Sequence, residues 1–74
     1  MKIVYLVVQT DNKETGASIR AFSTYAKAEK NAYALISRHL DRGNQIVEYD
    51  QTKNYSYYIF QDGECIEIQA RAIN

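Results

Sequence analysis

Apolar and polar residues follow three rhythms along this chain. Residues 2–9 (K-I-V-Y-L-V-V-Q) run β-branched and aromatic types together with little alternation. That composition predicts a strand with both faces apolar. Residues 10–16 (T-D-N-K-E-T-G) are polar and predict a loop. Residues 17–23 predict a short second strand, with Ile19 and Ala21 on one face and Ser18 and Arg20 on the other, joined to the first as a hairpin. From Ala26 to Arg42 the rhythm changes. Tyr25, Ala28, Ala32, Leu35, Ile36, His39 and Leu40 recur at three- and four-residue spacing and form one apolar helical stripe. Ser23 or Thr24 can cap this helix by accepting a hydrogen bond from an otherwise unpaired amide. Gly43 supplies the left-handed residue that ends it.

The last thirty residues predict a three-stranded meander. Asp62-Gly63 is a two-residue hairpin signal, since both central positions of a type I′ turn need positive φ. That turn sets Gln61 opposite Glu64, Ile59 opposite Ile66 and Tyr57 opposite Ile68. Side chains alternate across a strand, so Tyr55, Tyr57, Ile59, Ile66, Ile68 and Ala70 are expected on one, core, face. Ser56, Tyr58, Phe60, Cys65, Glu67 and Gln69 are expected on the other. The preceding strand, Ile46 to Asp50, adds Val47 and Tyr49 to the core face if Tyr49 opposes Tyr55. This needs an odd-length turn around Gln51 to Lys53, with Asn54 left-handed. The element order ββαβββ defines a two-layer α+β domain: a five-stranded antiparallel sheet with one helix on one face.

A single helix leaves the other face of the sheet uncovered, and there the candidate function lies. Val4, Leu6 and Val8 are purely aliphatic and suit the core. Ile3, Tyr5 and Val7 are then expected on the open side, with Tyr58 and Phe60. Tyr5, Val7, Tyr58, Phe60 and Glu67 are therefore the expected partner-binding residues. A face with several large apolar side chains exceeds what most monomers expose, and tyrosine is favoured at interfaces. The competing reading is cross-strand aromatic pairing that stabilises the sheet without a partner.

Composition narrows the alternatives. At 74 residues the chain has room for one domain. A domain this small buries only about 60% of the surface its unfolded chain exposes, so a partner would add much. Nine Lys/Arg balance nine Asp/Glu, which argues against binding held mainly by nucleic-acid phosphates. Stacking of single-stranded bases on sheet aromatics is a further reading, weakened by Glu67 beside Tyr58. Cys65 is the single cysteine, so no disulfide closes within the monomer, and a reducing, cytoplasmic setting is expected. Cys65 reads as a small hydrophobe rather than a nucleophile. His39, the single histidine, has no second histidine or neighbouring cysteine in sequence to share a metal. It reads as a partly buried helix residue near the negative end of the helix dipole. Asp11 and Glu14 lack calcium-loop spacing. Lys27, Lys30 and Arg38 form a basic outer helix face, read as solvated. The apolar run at residues 3–8 is too short to span a bilayer. No acid–base pair or nucleophile constellation can be assembled, so neither an enzyme nor a cofactor is expected.

One resemblance adds to this reading. It rests on Met1-Lys2 with Tyr5-Leu6-Val7, a charged loop with Glu14 and Gly16, Ile19-x-Ala21-Phe22-Ser23, and Ala28-Glu29-Lys30 with Ala32. Together with the meander turning on Asp-Gly, these resemble small proteins of bacteriophages and mobile elements, small anti-CRISPR proteins among them. The resemblance implies a non-enzymatic inhibitor that occludes a working surface of a host protein complex. Tyr5 is the one position it carries over. The alternative is a homodimeric structural or regulatory module whose open face meets its own copy.

Overall fold

A computed structural model describes residues 2–10, 17–52 and 55–73 of the chain. Five strands and one helix follow the order β1 (Lys2–Thr10), β2 (Ala17–Phe22), α1 (Tyr25–Asp41), β3 (Ile46–Gln51), β4 (Tyr55–Phe60) and β5 (Cys65–Ile73). All five strands join one antiparallel sheet in the order β2-β1-β5-β4-β3. The fold is the expected two-layer α+β arrangement. The strand order follows from two hairpins, β1-β2 and the β3-β4-β5 meander, docked along β1 and β5. Thr10, expected to open a loop, ends β1 instead; the rest of that expected loop, with Asp11 and Glu14, and the expected left-handed Asn54 lie outside the described residues.

The helix forms where its periodicity predicts. Thr24 is extended (φ −134°, ψ 153°), and its hydroxyl accepts the Lys27 amide at 3.3 Å. At the other end Gly43 has φ +81°. The Asn44 amide donates to the His39 carbonyl at 2.9 Å and the Gly43 amide to Leu40 at 3.0 Å, which closes a Schellman motif. Ala28, Ala32, Ile36 and His39 are the buried stripe. Leu40, expected on it, is 47% exposed because the stripe has rotated past it by the last turn.

The sheet presents to the helix the face opposite to the one expected. The cause is the β4–β5 turn. The Phe60 amide donates to the Glu64 carbonyl and the Gly63 amide to the Phe60 carbonyl, each at 2.9 Å. Phe60 therefore faces Glu64, and the loop is Gln61-Asp62-Gly63, three residues long with Gly63 at φ +90°. Such a loop, a turn followed by a left-handed glycine, is the common alternative to the two-residue hairpin. One extra loop residue shifts the register by one and moves every side chain of one strand to the other face relative to its partner. Tyr58 thus pairs with Ile66, Ser56 with Ile68 and Tyr57 with Glu67.

The consequences run across the sheet. Ile66 and Ile68 are core residues, as expected, but Tyr58, Phe60 and Ser56 join them under the helix. Tyr55, Tyr57 and Ile59, expected in the core, stand on the open face with Cys65 and Glu67. In β1, Val7 opposes Ile68 and Tyr5 opposes Ala70, so Tyr5 and Val7 also face the helix. Val4, Leu6 and Val8 take the open side. Beside small Ala28 and Ala32, the rings of Tyr58 and Phe60 pack with aliphatic Val7, Ile36, Ile66 and Ile68. Tyr25 meets Tyr5 edge-on at 5.7 Å and shares a 3.2 Å hydrogen bond with buried Ser56. Gln51 donates to the Tyr58 hydroxyl at 2.6 Å. Aromatic rings enter this core because their polar ends have partners there.

In β3, Tyr49 opposes Tyr58, not Tyr55. Thr52 and Tyr55 close the hairpin, the Thr52 amide donating to the Tyr55 carbonyl at 2.9 Å. A bulge between Ile46 and Glu48 displaces Val47. Val47 is 60% and Tyr49 65% exposed, so neither is the core residue expected.

Candidate functional site

The helix-free face of the sheet has two halves. On β1 and β2 stand Val4, Leu6 and Val8, half-buried by one another, with Ile19 61% exposed and Ala21 beside them. On β3, β4 and β5 stand Glu48, Asp50, Tyr55, Tyr57, Ile59, Cys65, Glu67, Gln69 and Arg71, placed by their pairings. The tyrosines are held rather than loose. Tyr55 donates to Glu67 at 3.0 Å, and Tyr57 donates to Glu48 at 3.3 Å. Their rings lie 5.9 Å apart. Gln69 also donates to Glu67, at 2.8 Å, and its carbonyl oxygen receives two bonds from Arg71 at 3.2 and 2.8 Å. Loss of solvent around its hydroxyl, with the bond to Glu67, pushes the Tyr55 phenol up to about 12. Both tyrosines thus stay neutral donors across the physiological range.

Of the five residues expected to meet a partner, Glu67 alone lies on this face. Val7, Tyr58 and Phe60 are 2%, 5% and 1% exposed beneath the helix, and Tyr5 packs against the same core. They are correctly grouped with one another, but on the covered side. The residues sequence reasoning missed are Leu6, Val8, Tyr55 and Tyr57. Nothing local marked Tyr55 and Tyr57: in the expected register they face Ala70 and Ile68, and only the observed one sets them opposite Gln69 and Glu67.

Cys65 sits half-buried beside Glu67, its Sγ 3.7 Å from a carboxylate oxygen. Burial and this negative neighbour push its thiol up to about 11. At pH 8 roughly one thiol in a thousand would be ionised, and the thiolate is the nucleophile. Alkylation by iodoacetamide is therefore expected to be slow at pH 8 and to rise about tenfold per pH unit up to pH 10. A rate matching that of free cysteine at pH 8 would contradict this.

A second polar cluster lies where α1 meets the β4–β5 turn. His39 is buried, 1% exposed, and stacks on Phe60 with ring centroids 4.2 Å apart. It is more deeply buried than the sequence suggested. Its Nε2 lies 3.1 Å from a Glu64 carboxylate oxygen, and with Asp62 the three side chains bring ligand atoms within 4.8 Å. Its Nδ1, however, faces two donors, Asn44 Nδ2 at 2.9 Å and Arg42 at 3.5 Å. Nδ1 is then the acceptor and Nε2 carries the proton that Glu64 receives. A metal would need Nε2 bare and Nδ1 protonated toward an acceptor, so these donors do not fit a metal. The cluster is a hydrogen-bonded clamp between helix end and hairpin. Asp62 belongs to it: its carboxylate accepts the Glu64 amide at 2.9 Å, and that bond holds it below the usual carboxylate range.

Compared with protein-family models, with curated proteins and with solved structures, the chain matches none of them. No helix among the described residues is long and apolar enough to cross a membrane.

Proposed function

We propose that this chain is a non-enzymatic protein-binding module that works through the helix-free face of its sheet. One observation carries the reading. A five-stranded sheet has a single layer packed on it, and its other face joins an aliphatic half (Val4, Leu6, Val8, Ile19) to a half of fixed tyrosines and carboxylates (Tyr55, Tyr57, Glu48, Asp50, Glu67). Stiff tyrosines lose little freedom on binding, which favours them as contact residues. Three carboxylates on the β3–β5 half suit a partner with an apolar contact surface bordered by Lys or Arg. Such a border occurs on protein surfaces that guide nucleic acid, and covering it is how an inhibitor of a host complex would act.

A second reading, a second copy of the chain, is supported by β5. Glu67 and Arg71 lie two residues to either side of Gln69 on the same face. A two-fold axis crossing β5 at Gln69 sets each Glu67 over the other copy's Arg71, and each Val8 over the other Val4.

The test is a pull-down from bacterial lysate with the wild-type chain and with Leu6→Glu/Ile19→Glu, alongside light scattering at high micromolar concentration. A stoichiometric protein lost with the variant, while the variant's melting curve stays cooperative, supports the first reading. A dimer dissociated by the variant supports the second. A monomer whose captured protein is retained by the variant overturns both.

A further inference from the structure

The sheet ends at β3, whose outer edge meets no other strand among the described residues. Every residue of β3 after Ile46 is exposed, and the helix packs on β5, β1 and β2 instead. The direction of the β3 backbone groups follows from its hairpin. The Thr52 amide bonds the Tyr55 carbonyl, and the register runs on through Gln51–Ser56 and Asp50–Tyr57 to Tyr49–Tyr58. Hydrogen-bonded and non-hydrogen-bonded pairs alternate along an antiparallel ladder. Asp50 therefore bonds inward to β4, and the amides and carbonyls of Tyr49 and Gln51 point out from the sheet edge. The Gln51 amide is met there by the Asp50 carboxylate at 2.9 Å.

Tyr49 stands between two carboxylates. Glu48 and Asp50 oppose Ile59 and Tyr57, on the helix-free side. The Tyr49 ring takes the helix side, nearly parallel to Tyr58, with centroids 6.3 Å apart and 11° between planes. Among the described residues neither Glu48 nor Asp50 has an ion-pair partner; the ion pair present is His39–Glu64. Exposed edges invite pairing, and proteins guard them with lysine, proline, charge or a bulge. β3 has no lysine or proline. Its guards are the bulge between Ile46 and Glu48 and the two carboxylates. The carboxylates guard selectively. A second copy paired about Tyr49 sets Glu48 opposite Asp50, and like charges across strands repel. A strand with Lys or Arg at those two places is attracted instead.

We propose that the β3 edge receives an extended segment of another protein with the pattern basic-apolar-basic, its central residue opposite Tyr49. That residue exchanges two backbone hydrogen bonds with Tyr49, the mode of strand addition to a sheet edge. Its apolar side chain continues the row begun by Tyr58 and Tyr49, as a cross-strand aromatic contact. The two flanking cations meet Asp50 and Glu48. Drawn to its cation, the Asp50 carboxylate leaves the Gln51 amide, which then donates to the incoming strand. The bulge ends the added ladder on the other side. The edge is a separate contact from the helix-free face, and the proposal does not rest on that face: capture of a lysate protein reports on the face, and binding of a short peptide reports on the edge.

The experiment is a ¹⁵N–¹H NMR titration of the full chain at neutral pH and about 0.15 M ionic strength, where exposed charges are largely screened. The probes are the blocked peptides Lys-Val-Lys-Val-Lys-Val-Lys, Lys-Lys-Lys-Lys-Val-Val-Val and Glu-Val-Glu-Val-Glu-Val-Glu. With the first, saturable shifts and slowed hydrogen exchange are expected at the Tyr49 and Gln51 amides, and not at Ser18 or Arg20 on the β2 edge. The second has the same charge without the alternation and should bind more weakly; the third should not bind. Glu48→Gln/Asp50→Asn keeps both side-chain acceptors and should weaken binding about two- to thirtyfold, the worth of two exposed ion pairs. Tyr49→Pro removes an outward amide and the ring while sparing the β3–β4 ladder, and should abolish binding. The carboxylate variant decides even where Tyr49→Pro destabilises the fold. No saturation in the millimolar range, equal binding of the second peptide, shifts centred on β2, or unchanged affinity in the carboxylate variant would overturn the proposal.

Discussion

Phe60→Ala is expected to lower the folding free energy by about 3–5 kcal/mol. The ring is 1% exposed, lies under the helix, and is the platform on which His39 stacks at 4.2 Å. Its loss leaves a cavity at the point where helix and meander are clamped. A domain of 74 residues has only about 4–11 kcal/mol of stability to lose, at roughly 0.05–0.15 kcal/mol per residue. The variant should therefore unfold at much lower urea concentration, or be largely unfolded in buffer. Phe60→Leu, which refills most of the volume, should fall between. If Phe60→Ala lowers stability by less than about 1 kcal/mol, the ring is not in the core.

Deleting Gln61 is expected to do far less. The remaining Asp62-Gly63 would form the two-residue turn that the sequence advertises, and that turn closes on the same pair, Phe60 opposite Glu64. Tyr58 then still opposes Ile66 and Ser56 still opposes Ile68, so both isoleucines stay under the helix. The variant loses the bond from the Gln61 amide to the Gln45 carbonyl, worth about 0.5–1.5 kcal/mol, and keeps a cooperative melting transition. Gln61→Ala keeps the loop length and should lower stability by well under 1 kcal/mol, as is usual for exposed positions. A deletion variant without a cooperative transition would mean that the pairing of β4 with β5 does not survive the shorter turn.

These two variants bear on what could be read from the sequence. The number, order and kind of the elements were legible, because helix and strand periods differ and the capping residues at Thr24 and Gly43 are local signals. The facing of the sheet was not, because it hangs on the length of one turn. Asp-Gly is equally at home as a two-residue turn and as the end of a three-residue one ending in a left-handed glycine. Both strands flanking it alternate in a way that looks acceptable in either register: Tyr57 and Ile59 are as apolar as Tyr58 and Phe60. In β1 both faces are apolar, so nothing local corrected the error. In both registers Glu67 and Gln69 stand on the helix-free face and Ile66 and Ile68 under the helix, so the polarity of β5 did not separate them either. The His39 clamp was illegible for another reason. Asn44, Asp62 and Glu64 meet His39 only once the hairpin folds back onto the helix end.

The central pairing of β1 with β5 has a mechanical consequence. Lys2 opposes Ile73 at one end of that ladder, and Thr10 opposes Cys65 at the other. Force applied through Lys2 and Ile73 would pull on two residues already side by side, across the strands rather than along them. The ladder's hydrogen bonds lie perpendicular to the strands, so they would carry the load one pair after another and open like a zip. Pulled from the same strands in opposite directions along their length, through Lys2 and Cys65, all the pairs would share the load at once. The first geometry should yield at low force in single-molecule extension and the second at several times that force, although the sheet and its stability are the same.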